Sequence, residues 1–415
     1  MLTFIKQVLG NSSQSQTRSR KNRAVRLGAE VMEDRKLFAI GAELIVPLNS
    51  ASHEYESANA SSLNGTHAVV WTVRNATTGE RDIMGRVFKT GGVPLTPDFV
   101  VNNQVGRDDS NPTVAMDSNG NMWVAWDRTT ASSSDVLATR ISNAGINLLG
   151  APNTFIPIAS SARREYDPSI GCNRAGDFTV SYTVDMGAGN TDINQARFTA
   201  AGAPLRSVAV ANTVLPERAS SLSRNLIGDY VIAWQTDGRL ANGVPNSDIL
   251  ARKFNNAGAV VTPVKSVASA VGLMETMPSA SIDQGGNCIF AWESGPSTVS
   301  RDVLARRMNV AGTLQPTFVI SNVAAVNETR PSIALTPKSG QFAVVYESTA
   351  GGVTSSYVKE FNSANANVLT LNMGANRYTP VVSVGPNQQY IVTYTNLIGS
   401  AAGVFQGVRR RHGQL

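Results

Sequence analysis

Apolar and small or polar residues alternate along this chain in short stretches, and seven of those stretches end on a large aromatic. They read NMWVAWD, DFTVSYT, DYVIAWQ, NCIFAWE and QFAVVYE, with outlying copies THAVVWT and QYIVTYT. The closing aromatics are Trp71, Trp126, Tyr182, Trp234, Trp292, Tyr346 and Tyr394, at intervals of 55, 56, 52, 58, 54 and 48 residues. A two-residue period marks a strand with two different faces. One face is bulky (Met122, Val124, Trp126; Tyr230, Ile232, Trp234), and the position beside the aromatic is small (Ala125, Ser181, Ala233, Ala291). A lone sheet of this kind leaves its bulky face in water, so the units are expected to stack bulky face on small face.

The second unit serves as a template for four strands. Strand A is Pro112 to Asp117, strand B Met122 to Asp127, strand C Asp135 to Ile141 and strand D Phe155 to Ala159. Short turns with Gly separate A from B and C from D, as in Asp117-Ser118-Asn119-Gly120 and Ser142-Asn143-Ala144-Gly145. These are hairpin signals. Four antiparallel strands in a unit of roughly 50 residues is the arithmetic of a β-propeller blade. The expected fold is therefore all-β, a seven-bladed β-propeller of four-stranded antiparallel blades.

The ends of the chain complete the picture. The last unit has strands near Pro380 to Val384, Tyr390 to Tyr394 and Val404 to Arg409, and no strand D. Glu43 to Asn49 precedes the first strand A and has the pattern of an orphan strand D such as Asp98 to Asn102. Pairing of the two termini is expected to close the ring with an amino-terminal strand in the last blade and to remove an open edge. Two regions follow: 1–39, a flexible basic segment, and 40–415, the propeller.

Composition agrees with that division. The 415 residues are 42% hydrophobic and 16% charged, with 35 Gly, which suits many short strands and tight turns. No apolar run reaches the roughly 18 residues of a membrane span. The net charge is +6, but residues 1–36 hold eight basic side chains against three acidic ones. The repeats have no basic excess for a phosphate backbone, so no nucleic-acid partner is expected. Cys172 and Cys288 fall in the third and fifth units, too far apart in a ring for a disulfide, and read as buried thiols.

Two stretches resemble known families. Val25 to Ala39, with Glu33-Asp34-Arg35-Lys36-Leu37-Phe38-Ala39 as its core, resembles the amino-terminal segment of exported planctomycete proteins. That implies a secreted or cell-surface location. The units themselves, over 40–415, resemble repeats spread through large bacterial surface and secreted proteins. This implies a propeller module and carries no catalytic residue with it.

Repeated residues make poor candidates for chemistry. Asp82, Asp135, Asp192, Asp248 and Asp302 open strand C, with Arg86, Arg140, Arg197, Arg252 and Arg306 four or five residues on. They are expected to form an exposed ion-pair ladder. The histidines His53, His67 and His412 have no ligand spacing, and His67 sits at a core position. Asp117, Asn119 and Asn121 lack the Glu of a calcium loop and read as a polar turn. No metal, cofactor or catalytic residue is assigned.

The B to C loops and the D to A connectors vary freely and emerge on one face, the usual place for recognition. Their charged and aromatic members are the candidate binding residues: Arg107, Asp108, Arg163, Arg164, Glu165, Tyr166, Glu217, Arg218, Glu275, Glu328, Arg330, Arg377 and Tyr378. The expected function is a monomeric, non-catalytic module that binds a glycan, peptide or surface protein. An alternative is an exported polysaccharide-active enzyme using two of Glu165, Glu217, Glu275 and Glu328 at the propeller mouth. An intracellular scaffold is a third.

Overall fold

The computed structural model describes residues 44–47, 53–89, 91–130, 133–239, 242–296, 300–398 and 401–409. The chain divides into two compact units, 1–38 and 39–415, and the described residues all belong to the second. The export segment at 25–39 lies outside them.

The described residues are all-β, in four-stranded antiparallel sheets consistent with a propeller. Five sheets stand alone, and an eight-stranded one consists of two four-stranded halves joined by a single parallel pairing, Ser247 with Met274. The innermost strands are His53–Ser61, Asp108–Met116, Glu165–Cys172, Glu217–Arg224, Met274–Ile282, Asn327–Leu335 and Arg377–Val384. Numbering the sheets one to seven by these strands, the seventh takes its fourth strand from the chain start. Leu44 pairs with Gln406 and Ile45 with Phe405.

All seven strand-ending aromatics are buried, none more than 4% exposed. Each bulky face meets the small face of the sheet before it. Met122, Val124 and Trp126 pack on Ala68 and Val70; Phe342, Val344 and Tyr346 pack on Ile289 and Ala291. The same relation joins sheet one to sheet seven, where Trp71 and Phe88 meet Val46 and Val404.

The expected Asp–Arg ladder is corrected. Arg86 is buried and donates to the Val46 carbonyl at 2.8 Å. Arg252 donates to Val210 O at 3.3 Å, Arg306 to Val267 O at 2.8 Å and Lys359 to Ile320 O at 2.7 Å. Each strap runs from a third strand to the outermost strand of the preceding sheet. Outer strands are edges with unpaired carbonyls, and a guanidinium reaching across satisfies them more directly than a carboxylate on its own strand.

Inner strands are edges as well, and serines close them. Ser169 Oγ accepts from Leu222 N at 2.9 Å, Ser221 from Ala280 N at 3.0 Å, Ser279 from Ile333 N at 3.1 Å and Ser332 from Val382 N at 3.2 Å. The strands lie so close that a Cβ on Gly171 would sit 2.8 Å from Arg224 Cβ. Residues from all seven inner strands line one cavity of about 290 Å³, among them Ser61, Met116, Cys172, Arg224, Ile282, Leu335 and Val384.

Both cysteines are free and buried, and burial pushes each thiol up to about 12. His67 is 2% exposed, donates from Nε2 to Gln406 Oε1 at 2.9 Å, and stacks on Phe88. Burial holds its pKa down at about 4, which keeps the ring neutral as a core group.

Candidate functional site

The inner strands begin earlier than the periodicity places them. Asp108 rather than Pro112 opens the second, because a β-bulge separates the expected strand from three more paired residues. Every inner strand has this bulge, and each places one residue other than Gly in the left-handed region. These are Glu56, Asn111, Asp167, Ala219, Met277, Arg330 and Thr379, with φ between 48° and 55°. Five of them precede a proline, which has no N–H to miss where the ladder is interrupted. The bulge residues lie toward the start of each inner strand, away from the cavity-lining end.

This geometry settles where the candidate residues stand. Asp108, Glu165, Tyr166, Glu217, Arg218, Glu275, Glu328, Arg330, Arg377 and Tyr378 are strand residues, and Arg107, Arg163 and Arg164 remain in connectors. Asp108 pairs with Arg81 at 2.5 Å, and that guanidinium holds its carboxyl below the usual range. Arg218 pairs with Asp237. Arg164 lies over the Tyr166 ring, 5.8 Å from its centre. Ser356 Oγ donates to the Arg377 carbonyl at 2.9 Å, while Arg107 is exposed.

The four glutamates do not meet one another in a channel mouth. Glu165, Glu217, Glu275 and Glu328 are at most 4% exposed, each two residues before its bulge. Glu165 accepts from Ser161 N and Oγ, Glu217 from Thr213 N and Oγ1, and Glu328 from Ser321 Oγ and Val323 N. Glu275 accepts from Ser294 Oγ at 3.2 Å, and burial pushes it up to about 7. Glu54 and Asp109 occupy the same place in the first two sheets. The position holds the connector against its own strand.

In four of the seven repeats the residue after the strand-ending aromatic makes a different junction, which periodicity alone did not reveal. Its side chain accepts the backbone N–H of the next sheet's bulge residue: Gln235 from Met277 at 3.3 Å, Glu293 from Arg330 at 2.8 Å, Glu347 from Thr379 at 2.6 Å and Asp127 from Asp167 at 3.3 Å. Two of these carboxylates have a cation beside them. Glu293 takes Arg301 at 2.6 Å, and Glu347 lies 3.7 Å from Arg330. Among the described residues no basic side chain pairs with Asp127, which meets acids instead.

Asn111 Nδ2 donates to Asp127 Oδ2 at 3.2 Å and to Asp167 Oδ1 at 3.1 Å. Its backbone N donates to Glu56 Oε2 at 2.9 Å, and Thr72 Oγ1 donates to the same oxygen at 2.9 Å. Three carboxyl groups thus surround one asparagine across the first three sheets. Burial, and then the charge of Asp167, raise Asp127 well above the ordinary carboxylate range. Burial, opposed by the Asn111 hydrogen bond and aided by Glu56, raises Asp167 too. Asp127 Oδ1 is buried without a partner, while Glu56 and Asp167 remain half-exposed. Tyr55 and Tyr166 immediately precede the two half-exposed acids.

No group of His, Cys, Asp and Glu among the described residues has the arrangement of a metal site. Asp117 behaves as a turn residue, with Oδ1 accepting Asn119 N and Asn121 N and with Arg140 at 2.9 Å. No helix among the described residues is long and apolar enough to cross a membrane.

No family model and no curated protein matches the chain, so neither the repeat-family nor the export-segment resemblance gains support. Solved structures match in fold. An ulvan lyase of polysaccharide lyase family PL25 has a TM-score of 0.58 at 10% identity, over 89% of this chain and 98% of its own. The polysaccharide lyase Uly1 gives 0.55 at 8% identity, over 89% and 99%. A protein of unknown function from Dyadobacter fermentans gives 0.54 at 9% identity, over 89% and 97%. The expectation of a non-catalytic binding module is corrected by these likenesses, since the described fold is one on which polysaccharide lyases are built.

Proposed function

We propose that the chain is an exported polysaccharide-active enzyme, a seven-bladed propeller closed by its amino-terminal strand, with Glu56 as nucleophile and Asp167 as acid–base catalyst. The observation that carries the chemistry is the break in the latch at sheets one to three. Elsewhere the latching side chain is neutral or lies beside an arginine, but Asp127 meets Asp167 across Asn111. Burial and neighbouring acids raise Asp127 and Asp167 above the ordinary carboxylate range, so a proton donor stands here where an ordinary carboxylate would have released its proton. The blade count is supported by the cavity that seven inner strands share and by the Arg86–Val46 strap between the last sheet and the first.

In the reaction, Asp167 gives its proton to the departing glycosidic oxygen while Glu56 attacks the anomeric carbon. Water then releases the sugar, losing its proton to the Asp167 carboxylate. The Asn111 backbone N–H and side-chain amide each hold one of the two acids, and the course proposed is the retaining one, in which the second carboxylate is the nucleophile. Asp127 lies behind the pair, its carboxyl raised by burial, and fixes the Asp167 backbone by accepting its N–H. Tyr55 and Tyr166 offer rings beside it for sugar faces.

Incubation of residues 40–415 with a panel of polysaccharides, read by new reducing ends, tests the proposal. Turnover is expected on at least one polymer, with Asp167→Asn and Glu56→Gln each slower by about 10²–10⁴-fold and melting as the parent does. Absence of product from every polymer overturns it. So does full activity in both variants, or an unsaturated product detected by ultraviolet absorbance, which belongs to elimination.

A further inference from the structure

Sheet three has a second feature that its neighbours lack. Its outermost strand, Pro204–Ala211, has eight residues, where those of sheets one, two, four and five have four. With the hairpin between the second and third strands it walls a cleft of about 450 Å³, within the size range of small-ligand sites. Asp192, Arg163, Asn194 and Asn212 are among its polar groups, with Glu165 and two serines beside them, and Val184 and Met186 give it an apolar side.

Asp192 is 8% exposed, yet its Oδ1 accepts no hydrogen bond from the protein. A buried carboxylate oxygen without a donor is rare unless something outside the chain supplies one. Arg163 is exposed and donates only weakly, to Asp185 O at 3.4 Å and Met186 Sδ at 3.6 Å. A carboxylate accepts only, whereas the two amides both donate and accept. The ligand must therefore present several hydroxyls on one edge and an apolar face toward Val184 and Met186. A neutral sugar ring has both.

We propose that this cleft is a secondary carbohydrate subsite, holding one neutral sugar residue of the polysaccharide by hydroxyl donors to Asp192. The identity of the polymer rests on the function proposed above; the cleft does not. Arg163 and Asp167 bound one short segment, with the cleft at the Arg163 end and the acid pair at the other. A chain engaged at Asp167 has its next residues available to the cleft.

Saturation-transfer NMR of the full chain with D-galactose, L-arabinose, L-rhamnose and D-xylose, and with D-glucuronate as the charged control, tests it. At least one neutral sugar is expected to bind wild type and Asp167→Asn alike, and Asp192→Ala to weaken that binding at least about tenfold. Arg163→Ala, which alters an exposed side chain, is expected to weaken it less and serves if Asp192→Ala does not fold. On a cleaved polymer, Asp192→Ala raises KM and leaves kcat unchanged. No binding by any neutral sugar, binding indifferent to both substitutions, or a preference for glucuronate overturns the subsite. Turnover with an unaltered KM removes the subsite and leaves the function; sugar binding without turnover does the reverse.

Discussion

Glu54 and His67 show how burial acts on single groups in opposite senses. Burial, and then the charge of Asp98, push Glu54 up to about 8. A carboxyl that binds its proton more tightly when folded favours the folded state at low pH, and that advantage is lost as pH rises from about 4.5 through 8. His67 is depressed to about 4, so its contribution is full above about 6.5 and is lost as pH falls through 4. Melting temperature is accordingly expected to decline on both sides of mildly acidic pH. Glu54→Gln is expected to flatten the alkaline limb and leave the acid limb in place, as thermal scans from pH 4 to 9 will read. Asp167 gives catalysis its own limb: the proton donor empties as pH rises through its raised pKa, so kcat is expected to fall there, and Asn111→Ala to shift that fall. Little of this site was legible in the sequence. Glu56, Asp127 and Asp167 sit in three repeats and become neighbours only when the sheets stack. The faint signal was a residue standing before Pro in the inner strand, Asn111 and Asp167 among them, together with an Asp after Trp126 where other repeats have Thr, Gln or Glu.

At the scale of strands and sheets, two-residue alternation placed the second strands and their packing correctly, because one aromatic in each repeat must be buried. It placed the inner strands too late, since a bulge adds a residue, shifts every later side chain to the other face and erases the pattern. Junctions between sheets were invisible for a related reason: Ser279 or Arg306 reads as an ordinary polar residue until its partner on the adjoining sheet is known. Ser279→Ala is expected to cost about 1–3 kcal/mol by stranding the Ile333 N–H, with faster hydrogen exchange at that amide. Trp126→Ala, which empties the interface with Ala68 and Val70, is expected to cost about 3–5 kcal/mol in chemical denaturation.

For the molecule as a whole, the period and the unfinished last repeat made the architecture legible, because a stack of two-faced sheets leaves few ways to cover its ends. Function was less so, since the same fold supports unrelated activities and loops that vary suggest recognition as readily as catalysis. Deletion of residues 1–46 is expected to expose the edge of the strand Ala401–Arg409 and the groove that Val46 fills. Lower melting temperature and concentration-dependent association, read by light scattering, follow from an open sheet edge.

The strand that completes the last sheet also dictates a timetable. His67 and Gln406 are hydrogen-bonded across 339 residues of chain, and Leu44 waits for the same late strand. A ribosome delivers these partners at opposite ends of its work, and a growing chain can stack its early sheets but cannot seal them. The unpaired amino-terminal strand stays open to chaperones until that late strand is made. Maturation of the propeller waits on the strand Ala401–Arg409.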